Sequence, residues 1–224
     1  MKTINEGIIK DYGERKFKDT TNISDGLMTT EQELIDLHFE KDKGKKVLVL
    51  GCGGGRELFA LKRMGFDVTG VDLVPKLINF AREYSKENQI SVRTCISDIK
   101  SMPFLESESF DYAVMFKSVI GHVKERVTTF EEIKRILKPN GKLIFSTYYK
   151  YGDWKRGILV NLHNLLYWIS ENVEWNSWET EKNCYVNFPS IRNTTNEIND
   201  SRLKLLEVVN SKDIYHYKYF VVRK

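Results

Sequence analysis
The sequence predicts an α/β fold: a doubly wound, mostly parallel seven-stranded sheet that ends with an antiparallel C-terminal strand. Three observations predict it. Short, near-continuous apolar runs such as Val47-Leu48-Val49-Leu50 recur along the chain, as strands buried on both faces require. Segments with helical periodicity separate them. The first run passes straight into the glycine-rich turn Gly51-Cys52-Gly53-Gly54-Gly55, after which a helix pattern begins.

The elements follow in order. Residues 1–45 form an N-terminal arm and helix. In that helix Thr30-Glu31-Gln32-Glu33 reads as a capping box, with Thr30 as cap and Glu33 reaching back, and Leu34, Ile35, Leu37, His38 and Phe39 form the buried stripe. Strand one is Lys46 to Leu50, and a helix runs from Arg56 to Met64 with Gly65 as its stop. Strand two is Asp67 to Val71. Pro75 opens the next helix, which buries Leu77, Ile78 and Ala81. Strand three is Ile90 to Ile96 and strand four Tyr112 to Phe116. An amphipathic helix over Lys124 to Leu137 leads through the turn Pro139-Asn140-Gly141 into strand five, Lys142 to Thr147. After a short helix over Thr195 to Ser201, strands Leu203 to Val209 and Asp213 to Val222 are too close for a crossover, so they pair antiparallel. All four tryptophans fall in residues 148–190, an aromatic-rich insertion read as a lid, with a helix over Ile158 to Ile169.

Residues 1–224 read as one domain, large enough to bury a proper core. The hydrophobic fraction of 41% and charged fraction of 29% are those of a soluble globular protein. No run approaches the roughly 18 apolar residues of a membrane span, and no apolar leader opens the chain. Three cysteines without ligand spacing read as thiols in a reducing, cytoplasmic setting. The four histidines show no metal-binding pattern. The net charge of +4 is scattered; its densest cluster, Lys41 to Lys46, reads as a solvated turn, and a nucleic-acid partner is disfavoured.

The glycine turn calls for a ligand. Its bare backbone allows close approach, and Asp72, which follows strand two roughly 20 positions on, offers a carboxylate to a ribose. Arg56 stands where the third glycine of a dinucleotide fingerprint belongs, which argues against a pyrophosphate and a nicotinamide oxidoreductase. A ribose and an amino-acid moiety suit the turn better.

On these residues the chain resembles the class I S-adenosylmethionine-dependent methyltransferases. Val47 to Gly55 looks like the family's first motif and Gly70-Val71-Asp72-Leu73 its second. Cys95-Ile96-Ser97-Asp98-Ile99 looks like the third, and Phe110 to Val114 and Leu137 to Leu143 match the fourth- and fifth-strand motifs. The resemblance implies a Rossmann-like methyltransferase fold with S-adenosyl-L-methionine as cofactor and S-adenosyl-L-homocysteine as product. It implies that Asp72 binds the ribose hydroxyls, Asp98 accepts from the adenine amine, and Leu73 and Ile99 pack on the ring. Gly51, Cys52, Gly53, Gly55 and Lys117 complete the expected cofactor set, with Tyr12 on a closing flap. His122, after strand four, is the candidate general base, with a cofactor-pocket role as its alternative. His122, Tyr148, Tyr149 and Trp154 are the candidate acceptor-binding residues. Asp111 reads as structural, and His38 as a core or lid contact.

Where amine methylators of the family carry Asn/Asp-Pro-Pro-Tyr/Phe, this chain has Phe116-Lys117-Ser118-Val119. The expectation is therefore methylation of a hydroxyl, amine or carbon of a small-molecule acceptor, by a monomer or homodimer. An RNA or protein methyltransferase and a non-catalytic cofactor-binding partner subunit are the alternatives.

Overall fold
The computed structural model describes residues 4–14, 23–40, 42, 44–148, 177–179, 185–187, 189–212 and 217–224. Helix α1 (Ile4–Glu14) and a short 3-10 turn (Ile23–Asp25) precede α2 (Thr29–His38). Then β1 (Lys46–Leu50), α3 (Arg56–Arg63), β2 (Asp67–Asp72), α4 (Pro75–Glu87), β3 (Arg93–Ile96) and β4 (Phe110–Met115) alternate. A second 3-10 turn (Val119–His122) leads to α5 (Arg126–Ile136) and β5 (Leu137–Tyr148). Strands β6 (Ser177–Glu179) and β7 (Tyr185–Asn187), helix α6 (Ile191–Asp200), β8 (Lys204–Asn210) and β9 (Tyr217–Arg223) follow.

The main sheet has the order β3-β2-β1-β4-β5-β9-β8. Its first five strands are parallel, and β9 runs antiparallel to both β5 and β8. The expected antiparallel pairing of the last two strands holds, and the structure adds the insertion of β9 between β5 and β8. Strands β6 and β7 pair antiparallel in a separate sheet.

Alternation along each strand explains why the apolar runs are continuous. Leu48 and Leu50 face one hydrophobic layer, with Phe130, Ile133 and Ile136 of α5 and Ile198 of α6. Val47 and Val49 face the other, with Leu34 and Ile35 of α2, Leu58 and Leu61 of α3 and Ile78 of α4. Both faces of the sheet are thus covered, and neither has a polar side to show as alternation.

Several local expectations are corrected. The cap of α2 is Met28, not Thr30. Only half of a capping box forms: the Glu31 carboxylate accepts from the Met28 backbone N–H at 2.9 Å, since a thioether offers no comparable acceptor. Thr30 is drawn away to accept from the Lys212 backbone N–H at 2.9 Å, and Glu33 pairs with the Lys212 ammonium. Leu37 turns off the buried stripe and is 70% exposed. His38 is partly buried, and its Nε2 lies 2.8 Å from the Glu207 carboxylate of β8. Strand β3 starts at Arg93 because Ile90 closes α4, its N–H donating to the Ser85 carbonyl and its carbonyl accepting from the Ser85 hydroxyl. The turn at Pro139-Asn140-Gly141 is a bulge within β5, where the register against β4 jumps between Leu137 and Lys142. Asp111 is structural as expected, accepting from the Lys46 N–H and pairing with Lys138 at 2.9 Å.

Candidate active site
The carboxyl ends of β1, β2 and β4 border a cavity of about 570 Å³, at the end of an open α/β sheet where ligands bind. The turn after β1 is fixed from below: the N–H groups of Gly51 and Cys52 both donate to the Val71 carbonyl, at 2.8 and 3.1 Å. Gly51 has φ +65°, and a Cβ there would lie 2.5 Å from a Val119 methyl. Backbone and the 3-10 turn can therefore meet only through a glycine. Gly70 under the turn is as tight, since a Cβ would stand 2.7 Å from the Cys52 sulfur. Cys52 is 2% exposed, and burial pushes its thiol pKa up, so it fills space as a neutral group.

Asp72 lines the cavity with the turn. One carboxylate oxygen accepts from the Gly53 N–H and the other from the Val74 N–H, both at 2.8 Å. A carboxylate has about four acceptor positions, so two hydrogen bonds leave room for a vicinal diol. Burial raises the Asp72 pKa above the ordinary aspartate value, against the lowering effect of the backbone donors. Asp98 lines the same cavity; its Oδ1 accepts from the Lys100 N–H at 3.0 Å and its Oδ2 from the Asn5 side-chain amide at 2.8 Å. Leu73 and Ile99 supply apolar wall beside these carboxylates.

His122 lies at the end of the second 3-10 turn and is held by two contacts from distant segments. Its Nδ1 is 2.8 Å from the Tyr185 carbonyl of β7, and its Nε2 is 2.9 Å from the Tyr12 hydroxyl of α1. A carbonyl only accepts, so Nδ1 carries a proton; in the neutral form of the ring Nε2 then keeps its lone pair and can accept from Tyr12. The Tyr12 ring meets the imidazole edge-on, with centroids 5.5 Å apart. Tyr148 and Tyr217 stack at 5.1 Å and line the same cavity.

Beside the glycine turn lies a buried ionic network. The Arg56 guanidinium donates to both oxygens of Glu31 at 2.7 and 2.9 Å, to Glu57 at 2.5 Å, and to the Gly26 carbonyl at 2.7 Å. Arg56 and Glu31 are 4% and 0% exposed. The sequence marked Arg56 only as a missing glycine; here it ties α3 to α2.

Of the expected site residues, Tyr12, Gly51, Cys52, Gly53, Asp72, Leu73, Asp98, Ile99, Lys117, His122 and Tyr148 all border this cavity. Gly55 is not among the lining residues. It caps α3 with φ +103°, and a Cβ there would lie 2.4 Å from the Phe59 ring. Tyr149 and Trp154, with most of the lid stretch and its helix at 158–169, lie outside the described residues. The sequence reading missed Asn5, Glu57 and Tyr217. Asn5 and Tyr217 come from chain segments remote from every glycine-turn motif, and no local signal marks them.

Fold and site together define an open α/β domain with a cavity beside the glycine turn at the carboxyl ends of its strands. Residues 41–215 match the family described as the methyltransferase domain, and the chain belongs to it, as one of the class I S-adenosylmethionine-dependent methyltransferases. It is 36% identical over 108 residues to the ubiquinone biosynthesis O-methyltransferase of Actinobacillus pleuropneumoniae, a match covering 46% of each chain. The chain thus spans under half the length of the curated relatives it matches. Among solved structures, a methyltransferase from Methanosarcina mazei superposes with a TM-score of 0.73 at 19% identity, covering 89% of this chain and 98% of that one. The geranyl diphosphate C-methyltransferase of Streptomyces coelicolor, solved with S-adenosyl-L-homocysteine, gives 0.70 at 15% identity, covering 99% and 98%. These likenesses concern the fold. Among the described residues, no helix is long and apolar enough to cross a membrane.

Proposed function
We propose that this protein transfers the methyl group of S-adenosylmethionine to a small-molecule acceptor. The observation that carries the reading is that Asp72 and Asp98 border one cavity with the bare turn of Gly51 and Gly53. The donor set fits the cofactor: Asp72 has acceptor capacity for a ribose diol, and Asp98 offers an oxygen to an adenine amine beside the apolar Ile99. When bound, the sulfonium supplies an electrophilic methyl carbon to a nucleophile aligned behind it. Positioning then accounts for much of the rate.

His122 is the base in this reading. The Tyr185 carbonyl orients the ring, and Nε2 already accepts an O–H from the cavity wall in Tyr12. An acceptor hydroxyl or ammonium placed there loses its proton to Nε2 as the methyl group bonds to the acceptor atom. Tyr148, with Tyr149 and Trp154, is proposed to enclose the acceptor. The relatives' printed name, an O-methyltransferase, favours a hydroxyl. The test is transfer of label from methyl-labelled S-adenosylmethionine to a panel of phenols, amines and sugars, with calorimetry of the cofactor product alongside. His122→Ala is expected to cut turnover about 10²–10⁴-fold while S-adenosylhomocysteine still binds; near-normal turnover would remove the base assignment.

The pH dependence of cofactor binding follows from Asp72. Its folded-state pKa is raised by burial, so the apoprotein holds this proton more tightly than the unfolded chain. Its contribution to stability therefore falls as pH rises through that pKa. Accepting two ribose hydroxyls needs the ionised form, so cofactor affinity rises over the same interval. Calorimetry of S-adenosylhomocysteine on the wild type should show affinity lost on acidification above the ordinary aspartate value of 3.8. Asp72→Asn should flatten that dependence.

A further inference from the structure
Helix α1 lies across the cavity and is held there with little help from the core. Of residues 5–14, only Gly7, which has no side chain, is fully buried. The helix has 11 residues, two of them glycine, and a segment of that length and composition has little helical stability of its own. Its place therefore depends on polar contacts made along one face. Asn5, Ile8 and Tyr12 line the cavity at helical spacing, and the Lys76 ammonium of α4 donates to the Gly13 carbonyl at 2.6 Å.

The two polar residues of that face hold the groups that the proposed reaction uses. The Asn5 side-chain amide donates to Asp98 Oδ2 at 2.8 Å. Oδ1 is taken by the Lys100 N–H, and the Lys100 ammonium lies 3.6 Å from Oδ2. An adenine amine is a donor of the same kind as the Asn5 amide and competes with it for Oδ2. The Tyr12 hydroxyl stands 2.9 Å from His122 Nε2. With Nδ1 on the Tyr185 carbonyl, the neutral imidazole has one lone pair, and a second hydroxyl cannot share it at hydrogen-bond length. An acceptor therefore reaches Nε2 only where Tyr12 has left it.

Two helical turns, about 10 Å, separate the two contacts on one short helix, so displacing one end of α1 pulls on the other. We propose that α1 is an internal competitor: Asn5 stands in for the adenine amine at Asp98, Tyr12 stands in for the acceptor at His122, and cofactor binding, by expelling Asn5, unmasks the base. The proposal rests on the cofactor reading above. It makes the two ligands cooperate, cofactor first and acceptor second, through a helix that touches both sites. The seated helix also reduces the apparent cofactor affinity, since only molecules in which it has left are competent to bind.

Two measurements with S-adenosylhomocysteine test it. The first is calorimetry. Asn5→Ala removes the competing amide and puts a better helix former in its place, so the fold is kept and the ligand should bind about 3–10-fold tighter, the worth of one hydrogen bond. Tyr12→Phe keeps the ring and loses the hydroxyl. It should raise the affinity by a similar factor although it lies two turns from Asn5, which is the sign of coupling through the helix. The second measurement is hydrogen exchange of the peptide covering residues 4–14, read by mass spectrometry. Saturating ligand should speed that exchange in the wild type about 3–10-fold. The proposal is overturned if either variant binds the ligand no tighter than the wild type. It is overturned equally if the ligand leaves α1 exchange unchanged or slows it, since slowing marks a helix that closes over the cofactor. Failure of the wild type and both variants to bind S-adenosylhomocysteine at all would overturn the cofactor reading itself.

Discussion

Asp72→Ala is expected to lower the affinity for S-adenosylhomocysteine by at least about a hundredfold, since on the proposed reading it removes two hydrogen bonds from ribose hydroxyls to an ionised carboxylate, worth about 1.5–3 kcal/mol each. The same carboxylate also accepts from the Gly53 and Val74 N–H groups. The alanine variant therefore loosens the turn as well, and Asp72→Asn is its necessary companion. Asparagine keeps the side-chain shape and an acceptor oxygen for one of the two backbone N–H groups, but its NH2 cannot accept from the other and it carries no charge, so it should disturb the turn less than alanine while weakening the ligand by about tenfold or more. Calorimetry with S-adenosylhomocysteine, after circular dichroism shows both variants folded, gives the comparison. An unchanged Kd in either variant would remove the ribose role from Asp72.

Arg56→Met is expected to destabilise the fold by about 3–5 kcal/mol, because breaking a buried ion pair from one side leaves an uncompensated charge. Here two carboxylates lose their partner, Glu31 at 0% and Glu57 at 7% exposure. For a chain of this length Tm should fall by about 10 °C. The deficit depends on pH. Burial raises the Glu31 pKa above 4.5, opposed by its hydrogen bond and charge interaction with Arg56. Without Arg56 the folded-state value climbs further. The folded variant then binds a proton that the unfolded chain releases, and its stability falls as pH rises through that value. Thermal melts should show the gap to wild type narrowing on acidification. Glu31→Gln added to Arg56→Met should recover part of the loss, because the remaining amide carries no charge. A single variant that melts with the wild type at neutral pH would show that the network contributes nothing to stability.

Local chemistry made the cofactor half readable. Val47 to Leu50 can only be a buried strand, and the glycines that follow serve conformations and contacts that a Cβ would block: Gly51 against Val119, Gly55 against Phe59. Asp72 was recognised from its place after the glycine turn and strand two, and Asp98 from the resemblance of Cys95 to Ile99 to the family's third motif. The reading failed where tertiary contacts override a local signal. Thr30 and Glu33 look like a capping pair, but Lys212, from the other end of the chain, captures both. Leu37 fits a helical stripe by spacing, yet the packed face of α2 is set by Leu34, Ile35 and Phe39. Arg56 was read as a defect in a fingerprint because its partners Gly26 and Glu31 lie about 25–30 positions away, in and just before α2.

The sequence by itself determined the alternation of strands and helices, the bare turn after β1 and the acidic residues after β2 and β3. Those features depend on backbone preference and periodicity within a few residues. Only the tertiary structure decided that β9 enters between β5 and β8, which sets Tyr217 against Tyr148. It also decided that α1 reaches across the cavity to join Asn5 to Asp98 and Tyr12 to His122, and that β7 fixes the imidazole ring. Such pairings join residues from 63 to 110 positions apart. Their energy is gained only when whole layers pack, so no short window of sequence carries them.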